Sequence, residues 1–434
     1  MYSRQRIFTL YLAHLLWIAF VLSAVSCKKE TGDDLLPTVQ ITSPTLGATF
    51  YYNGTINIEA VVTDDRQLQS VMVEITDAQN NRYLSSQLFT PTEKYFEVNL
   101  AIQCNDLYLS SGSYYVRITA NDGENEQIAF REIQIMEAPR IIERIFAVRS
   151  NGLTASIDTL HDVSLLPCLD FEGDYRYGDI ESRTRHLVAS GSSPSSLLSL
   201  SLPYFENLST AFPPSNDELS AFFHDRIGYR FLWGTQSGEI WSTTSSGTQL
   251  FSPAATNASI TCIARSNEHI IVISGGTEST YIHILRSDNG IVETSIQVDW
   301  EVMGAVHLIA EDNRVLLVGN QNGASHFAWL NLVTSAINEV FNFYESSPVR
   351  GVYECEGNDF FVVHDVGITR YYNLLNNYTI NNSLIPEKIK YDDLENQLWA
   401  ITPQQLYRLE GTGQSILQTL PASNVVDLWI QYNK

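Results

Sequence analysis

The chain has 434 residues, 26 basic and 49 acidic, for a formal net charge of −23. So acidic a surface repels phosphate backbones and anionic headgroups, which excludes nucleic acid as a partner and charge attraction as the means of membrane attachment. The five cysteines stand far apart without a Cys-x-x-Cys pair, which excludes clustered-thiol metal sites and dithiol redox chemistry.

Arg4 and Arg6 precede an uncharged apolar run over residues 7–26, and small residues close it. Those are the parts of a secretory signal. About 20 apolar residues also suffice to cross a bilayer as a helix, so a retained anchor is the alternative. Cys27 decides between them. Ala24-Val25-Ser26-Cys27 resembles the lipobox of bacterial lipoproteins, with Ala24 where that family usually carries Leu. The resemblance implies cleavage before Cys27 and acylation of its thiol, for example with palmitate; the small side chains before it leave the thiol unhindered. The next stretch, KKETGDD, resembles the acidic tether of surface-exposed lipoproteins of the Bacteroidota. The expectation is a signal peptide over 1–26, a tether over 27–37, and a lipid-anchored outer-membrane protein facing the cell exterior. Loss of 1–26 leaves 408 residues with 24 basic against 49 acidic, a net charge of −25. A chain of that length buries a large core without disulfides, so Cys104, Cys168, Cys262 and Cys355 are expected as buried free thiols.

Residues 38–137 alternate apolar and polar in short runs: TVQIT, TINIEAVVT, SVMVEIT, YFEVNLAI, YYVRITA and REIQI. Period-two alternation means strands with one wet and one buried face, and about seven in about 100 residues predict a two-sheet sandwich. SGSYYVRITANDG resembles the penultimate strand and following loop of bacterial Ig-like domains. No Cys…Trp…Cys triple is present, which excludes the antibody type. Asp64 and Asp65 follow TINIEAVVT and Asp122 follows YYVRITA. Ig-like topology places those loops at one end, where three carboxylates suit Ca²⁺; solvated turns are the alternative.

Ala138-Pro139 marks a boundary, and residues 140–434 repeat. An apolar strand recurs as RIFAV, HLVAS, FLWG, IIVIS, VLLVG, FFVVH and LWAIT. The interval averages about 42 residues, the period of a four-stranded propeller blade. Inner strands precede the later copies (SITCIA, AVHLIA, RGVYEC, KIKYDD), but RIFAV lacks one, and a spare strand, VVDLWIQY, ends the chain. The tail is therefore expected to supply the inner strand of the first blade, which leaves no open ring end. The repeats resemble the broad seven-bladed propeller family, without the Gly-His…Trp-Asp signature of WD40 repeats; six or eight blades are the alternatives. The fold class is all-β, an Ig-like sandwich followed by a seven-bladed β-propeller closed by the C-terminal strand. Trp233, Trp241, Trp399 and Trp429 fall at repeat positions and are expected between blades.

Loops entering the inner strands gather at one mouth of the channel. They carry Tyr175, Arg176, Tyr177, Trp300, Tyr344, Arg350 and Lys388. Rings stack on sugar faces, and Arg and Lys pair with carboxylates or hydroxyls, so a glycan or acidic polymer is the expected ligand class; rings that merely plug the ring's top are the alternative. His161-Asp162, His224-Asp225 and His364-Asp365 are adjacent pairs, and neighbours on a strand point to opposite faces and cannot orient each other. No nucleophile elbow, zinc spacing, P-loop or dinucleotide fingerprint occurs. The preferred expectation is a non-catalytic surface lipoprotein binding a glycan or surface protein. The alternatives are a polysaccharide hydrolase or lyase, and a scaffold subunit of an outer-membrane complex.

Overall fold

The computed structural model describes residues 35–191, 197–208, 217–253, 258–275, 279–309, 311, 313–340, 347–355, 359–372, 376–381, 384–411 and 415–434. Cys27 and Tyr344 lie outside them. The chain divides between Pro139 and Arg140 into two compact units. No helix among the described residues is long and apolar enough to cross a membrane.

Eight strands build the first unit: β1 (Thr38–Ser43), β2 (Ala48–Tyr51), β3 (Thr55–Thr63), β4 (Ser70–Thr76), β5 (Arg82–Phe89), β6 (Tyr95–Gln103), β7 (Gly112–Asn121) and β8 (Glu126–Met136). They form a three-stranded sheet ordered β1-β3-β6 and a five-stranded sheet ordered β2-β8-β7-β4-β5. Alternate apolar residues of β3 (Ile56, Ile58, Val62) share one core with Val71, Val73 and Ile75 of β4 and Val116 and Ile118 of β7. The two strands missing from the sequence patterns, β2 and β5, lie at the edges of the larger sheet. β2 has four residues, and β5 exposes Ser85 through Leu88 consecutively. An edge strand buries too little to require alternation.

In the second unit, every recurring apolar strand is buried on both faces, which explains its unbroken apolar runs. His269–Gly275 is buried throughout its centre, Ile270 to Ser274. Seven four-stranded antiparallel sheets occur among the described residues. Six are contiguous in sequence. The innermost strands are Tyr177–Glu181 in blade 2, Leu219–Asp225 in blade 3 and Ile260–Ser266 in blade 4. Glu301–His307, Val349–Glu354 and Lys388–Asp392 take that place in blades 5, 6 and 7. Blade 1 is composite. Ile142–Ser150, Thr154–His161 and Ser164–Glu172 supply three strands, and Val425–Tyr432 lies innermost.

The seam register pairs Leu428 with Ala147, Trp429 with Phe146 and Ile430 with Ile145. Each innermost strand packs on the next, and blade 7 returns to Val425–Tyr432. Seven separate apolar clusters fill the seven seams between blades. Trp233, Trp399 and Trp429 are fully buried in three of them, as expected, and Trp241 is half-buried. The approach is close at the first seam: a Cβ added at Gly178 would lie 2.6 Å from Cζ2 of Trp429.

Three expectations change. The inner strand of blade 5 begins at Glu301, four residues before AVHLIA, so the residues just after Trp300 are strand and not mouth loop. Cys168 is exposed, because it stands on the outermost strand of blade 1; Cys104 is buried, Cys262 and Cys355 are half-buried, and all four are free. His161 and Asp162 do face each other, with Nδ1 3.3 Å from Oδ2, because His161 ends its strand and Asp162, with φ +52°, opens the turn that follows.

The buried seam makes a stability prediction. Trp429→Ala should lower unfolding free energy by about 3–5 kcal/mol, and Gly178→Ala by about 1–3 kcal/mol through overpacking against the same ring. Chemical denaturation checks both; unchanged midpoints would mean that the ring is not held at this seam.

Candidate functional site

Alternation along the innermost strands puts every second side chain on the same face of its blade. In KIKYD this puts Lys388 and Lys390 on one face; in YGDIE it does the same for Tyr177, Asp179 and Glu181. The axial channel is therefore lined with charge. Lys390 Nζ of blade 7 lies 2.9 Å from Oδ2 of Asp179 in blade 2, a contact that spans blade 1 and fixes both side chains as axial.

At the mouth where the loops enter the inner strands, Asp427 of the closing strand is the hub. Its Oδ2 accepts hydrogen bonds from Tyr175 Oη and Lys388 Nζ. The Tyr175 ring rests on Trp429, 6.0 Å between centroids. Burial and then the Asp427 charge push the Tyr175 hydroxyl well above its usual range. Tyr353 of blade 6 feels the same carboxylate, after burial, and rises to about 12.

Deeper in the channel, His224 of blade 3 bridges two carboxylates of blade 2. Nδ1 lies 3.1 Å from Asp179 and Nε2 2.8 Å from Glu181. Burial alone would raise the Asp179 carboxyl, but the Lys390 ammonium and the His224 hydrogen bond outweigh it and hold the group far below the usual carboxylate range. At the far end, Glu354 accepts from the His307 backbone N–H at 3.1 Å, and His307 Nδ1 meets Ser266 Oγ at 2.9 Å. Glu354 is exposed to solvent, although many protein atoms crowd around its carboxyl. That enclosure pushes its carboxyl up to about 7, against the lowering influence of the His307 amide and Arg226.

Of the seven residues expected at the mouth, the structure brings Tyr175 and Lys388 together on Asp427. Arg176 and Tyr177 stand beside them and tie blade 2 to blade 3: the Arg176 guanidinium donates to Leu219 O at 3.3 Å and the Tyr177 hydroxyl to Ser220 O at 2.7 Å. Arg350 pairs instead with Asp365, in the turn after the second strand of its own blade. Trp300 is 5 % exposed and packs in the seam between blades 4 and 5, so it offers no open ring face in the channel. Sequence reasoning missed Asp179, Glu181, His224, Lys390, Tyr353, Glu354 and Asp427. The signal was present as charged residues at every second position of the innermost strands.

The Ca²⁺ expectation is corrected by hydrogen bonding. Asp64 Oδ2 accepts from the backbone N–H groups of Arg66 and Gln67 at 2.7 and 2.8 Å. Asp122 Oδ1 accepts from Glu124 and Asn125 at 2.7 and 2.6 Å. These carboxylates cap their own turns, Asp65 is exposed, and no group of three metal-ligating side chains occurs among the described residues.

Residues 37–118 match the family model of the bacterial Ig domain. No curated protein matches the chain. A functionally unknown protein from Desulfotomaculum acetoxidans aligns over 66 % of this chain and 98 % of its own, with 10 % identity and a TM-score of 0.52, a likeness of fold alone. A quinonprotein alcohol dehydrogenase-like protein from Bacteroides thetaiotaomicron covers 91 % of this chain and 99 % of its own at 10 % identity and TM-score 0.47. A protein of unknown function from Bacteroides caccae covers 67 % and 99 % at 11 % identity and TM-score 0.40.

Proposed function

We propose that this protein is a lipid-anchored outer-membrane lipoprotein whose propeller binds a neutral or zwitterionic glycan at the Tyr175–Lys388–Asp427 mouth of its channel. One observation carries the reading: the acids there are paired with donors within the protein, while the Lys388 and Lys390 side chains stay partly exposed. Donors and acceptors held in fixed positions without net charge suit sugar hydroxyls, each of which both donates and accepts. The acidic surface disfavours polyanions, so the acidic polymer drops out of the expected ligand class. The lipobox-like segment before Cys27 supports the anchor.

A second reading, a polysaccharide hydrolase or lyase, is favoured by Glu354. A channel carboxyl near 7, with Arg226 and His307 close by, suits proton transfer at neutral pH.

On a glycan array, the protein lacking residues 1–26 should bind a neutral or zwitterionic glycan, and Lys388→Met with Lys390→Met should weaken binding tenfold or more. Undiminished binding by that double variant, or no binding by the parent, would discard the mouth as the site. If the second reading holds, products appear on incubation with polysaccharide and vanish with Glu354→Gln. Palmitate labelling in cells should be lost with Cys27→Ala; retained label would refute the anchor. The raised Glu354 pKa also predicts a pH slope. The folded state holds this proton more tightly than the unfolded chain, so stability falls as pH rises from about 4.5 through about 7. Glu354→Gln should remove that slope and be the more stable form above pH 7, by about 1 kcal/mol after screening by channel water, with no difference below pH 4. Denaturation at pH 4, 6 and 8 checks it.

A further inference from the structure

Away from the channel, a cavity of about 520 Å³ opens between the outermost strand of blade 4, Val292–Val298, and the outer part of blade 5. Among the described residues the outermost strand of blade 5 is three residues long, Ile337–Glu339, and pairs with Ala328, Trp329 and Leu330 of Ala324–Asn331. Val298 and Ile337 supply apolar wall, and Trp300 closes the back. His326 stands edge-on to Trp300, 4.5 Å between centroids at 72°.

Asp299 and Glu339 also line it, and no Lys or Arg of the described residues joins them. Both carboxylates act on His326, whose ring burial pulls toward the neutral form while they push back, so the three groups face one space. Neither carboxylate nor the imidazole has a hydrogen-bond partner among the described residues. Elsewhere in the propeller buried acids do find cations: Asp225 has Arg230 and Arg265, Asp179 has Lys390, and Asp427 has Lys388. Here two exposed acids and the half-buried imidazole line one cavity, with no Lys or Arg among its described lining residues.

We infer that this cavity is a second binding site, for a small organic cation that carries ammonium groups on an apolar stem. The stem lies along Val298, Ile337 and Trp300, and the ammonium groups meet Asp299, Glu339 and His326. A cavity of this volume, open to solvent on one side, accommodates a small molecule, and charge-assisted hydrogen bonds to two carboxylates set the sign of the ligand. The site is independent of the channel.

Cadaverine is a suitable probe, with pentane-1,5-diol as its uncharged counterpart, titrated calorimetrically into the protein lacking residues 1–26. The expected result is one saturable site for cadaverine and no heat from the diol. Asp299→Asn combined with Glu339→Gln should weaken binding tenfold or more, and His326→Phe several-fold. Glu93→Gln, which removes an equally exposed charge from the first unit, should leave binding unchanged. Equal binding of diamine and diol, no binding of either, or equal loss in Glu93→Gln and the double variant would overturn the proposal. Asp299 and Glu339 are exposed, so their replacement leaves the fold intact, and circular dichroism of the double variant verifies this.

Discussion

The antiparallel pairing of Val425–Tyr432 with Ile142–Ser150 is the constraint on which the second unit depends. An open seven-sheet arc would expose two sheet faces and an unpaired strand edge. The seam covers all three. It places Trp429 in the core shared by blades 1 and 2, and Leu428 and Ile430 in the core shared by blades 7 and 1. One strand thus serves two apolar clusters, and its alternation assigns each side chain to one of them. Polar contacts reinforce the same junction. The Tyr432 hydroxyl donates to Asp392 at 2.9 Å, the Arg140 guanidinium sits 3.9 Å over the Tyr432 ring, and Gln431 donates to Glu143.

The same strand brings Asp427 to the channel mouth, so closure and site are one piece of construction. Asp427 is 4 % exposed, and a lone carboxylate so placed would be costly. Tyr175 from the loop before blade 2 and Lys388 from the first position of blade 7 meet it from the two flanking blades. The mouth assembles only when blades 7, 1 and 2 are in register. His224, Asp179 and Lys390 repeat the arrangement one layer deeper.

Much of this architecture was legible in the residues. The seven apolar strands, the missing inner strand before RIFAV and the spare VVDLWIQY give the ring and its closure, because burial on both faces leaves an unbroken apolar run that is easy to count. Edge strands β2 and β5 were not legible, since exposure frees them from any pattern. The site was half legible. Tyr175 and Lys388 were found by their place in loops, whereas Asp427, Asp179 and Lys390 were hidden inside strands whose neighbours read as core. Trp300 was misassigned because a tryptophan near a mouth can equally fill a seam, and Asp64 and Asp122 because turn amides compete for the same oxygens as a cation.

The seam joins residues very far apart along the polypeptide: Gln431 meets Glu143 288 positions away. Loop-closure entropy must be overcome before such a contact rewards it, so the ring's last join is also its slowest. Until the tail arrives, Ile142–Ser150 presents a bare apolar edge, and during synthesis that edge is a template for aggregation. The second unit depends on delivery of its last strand before its ring is closed, which makes premature termination more harmful to it than most single substitutions.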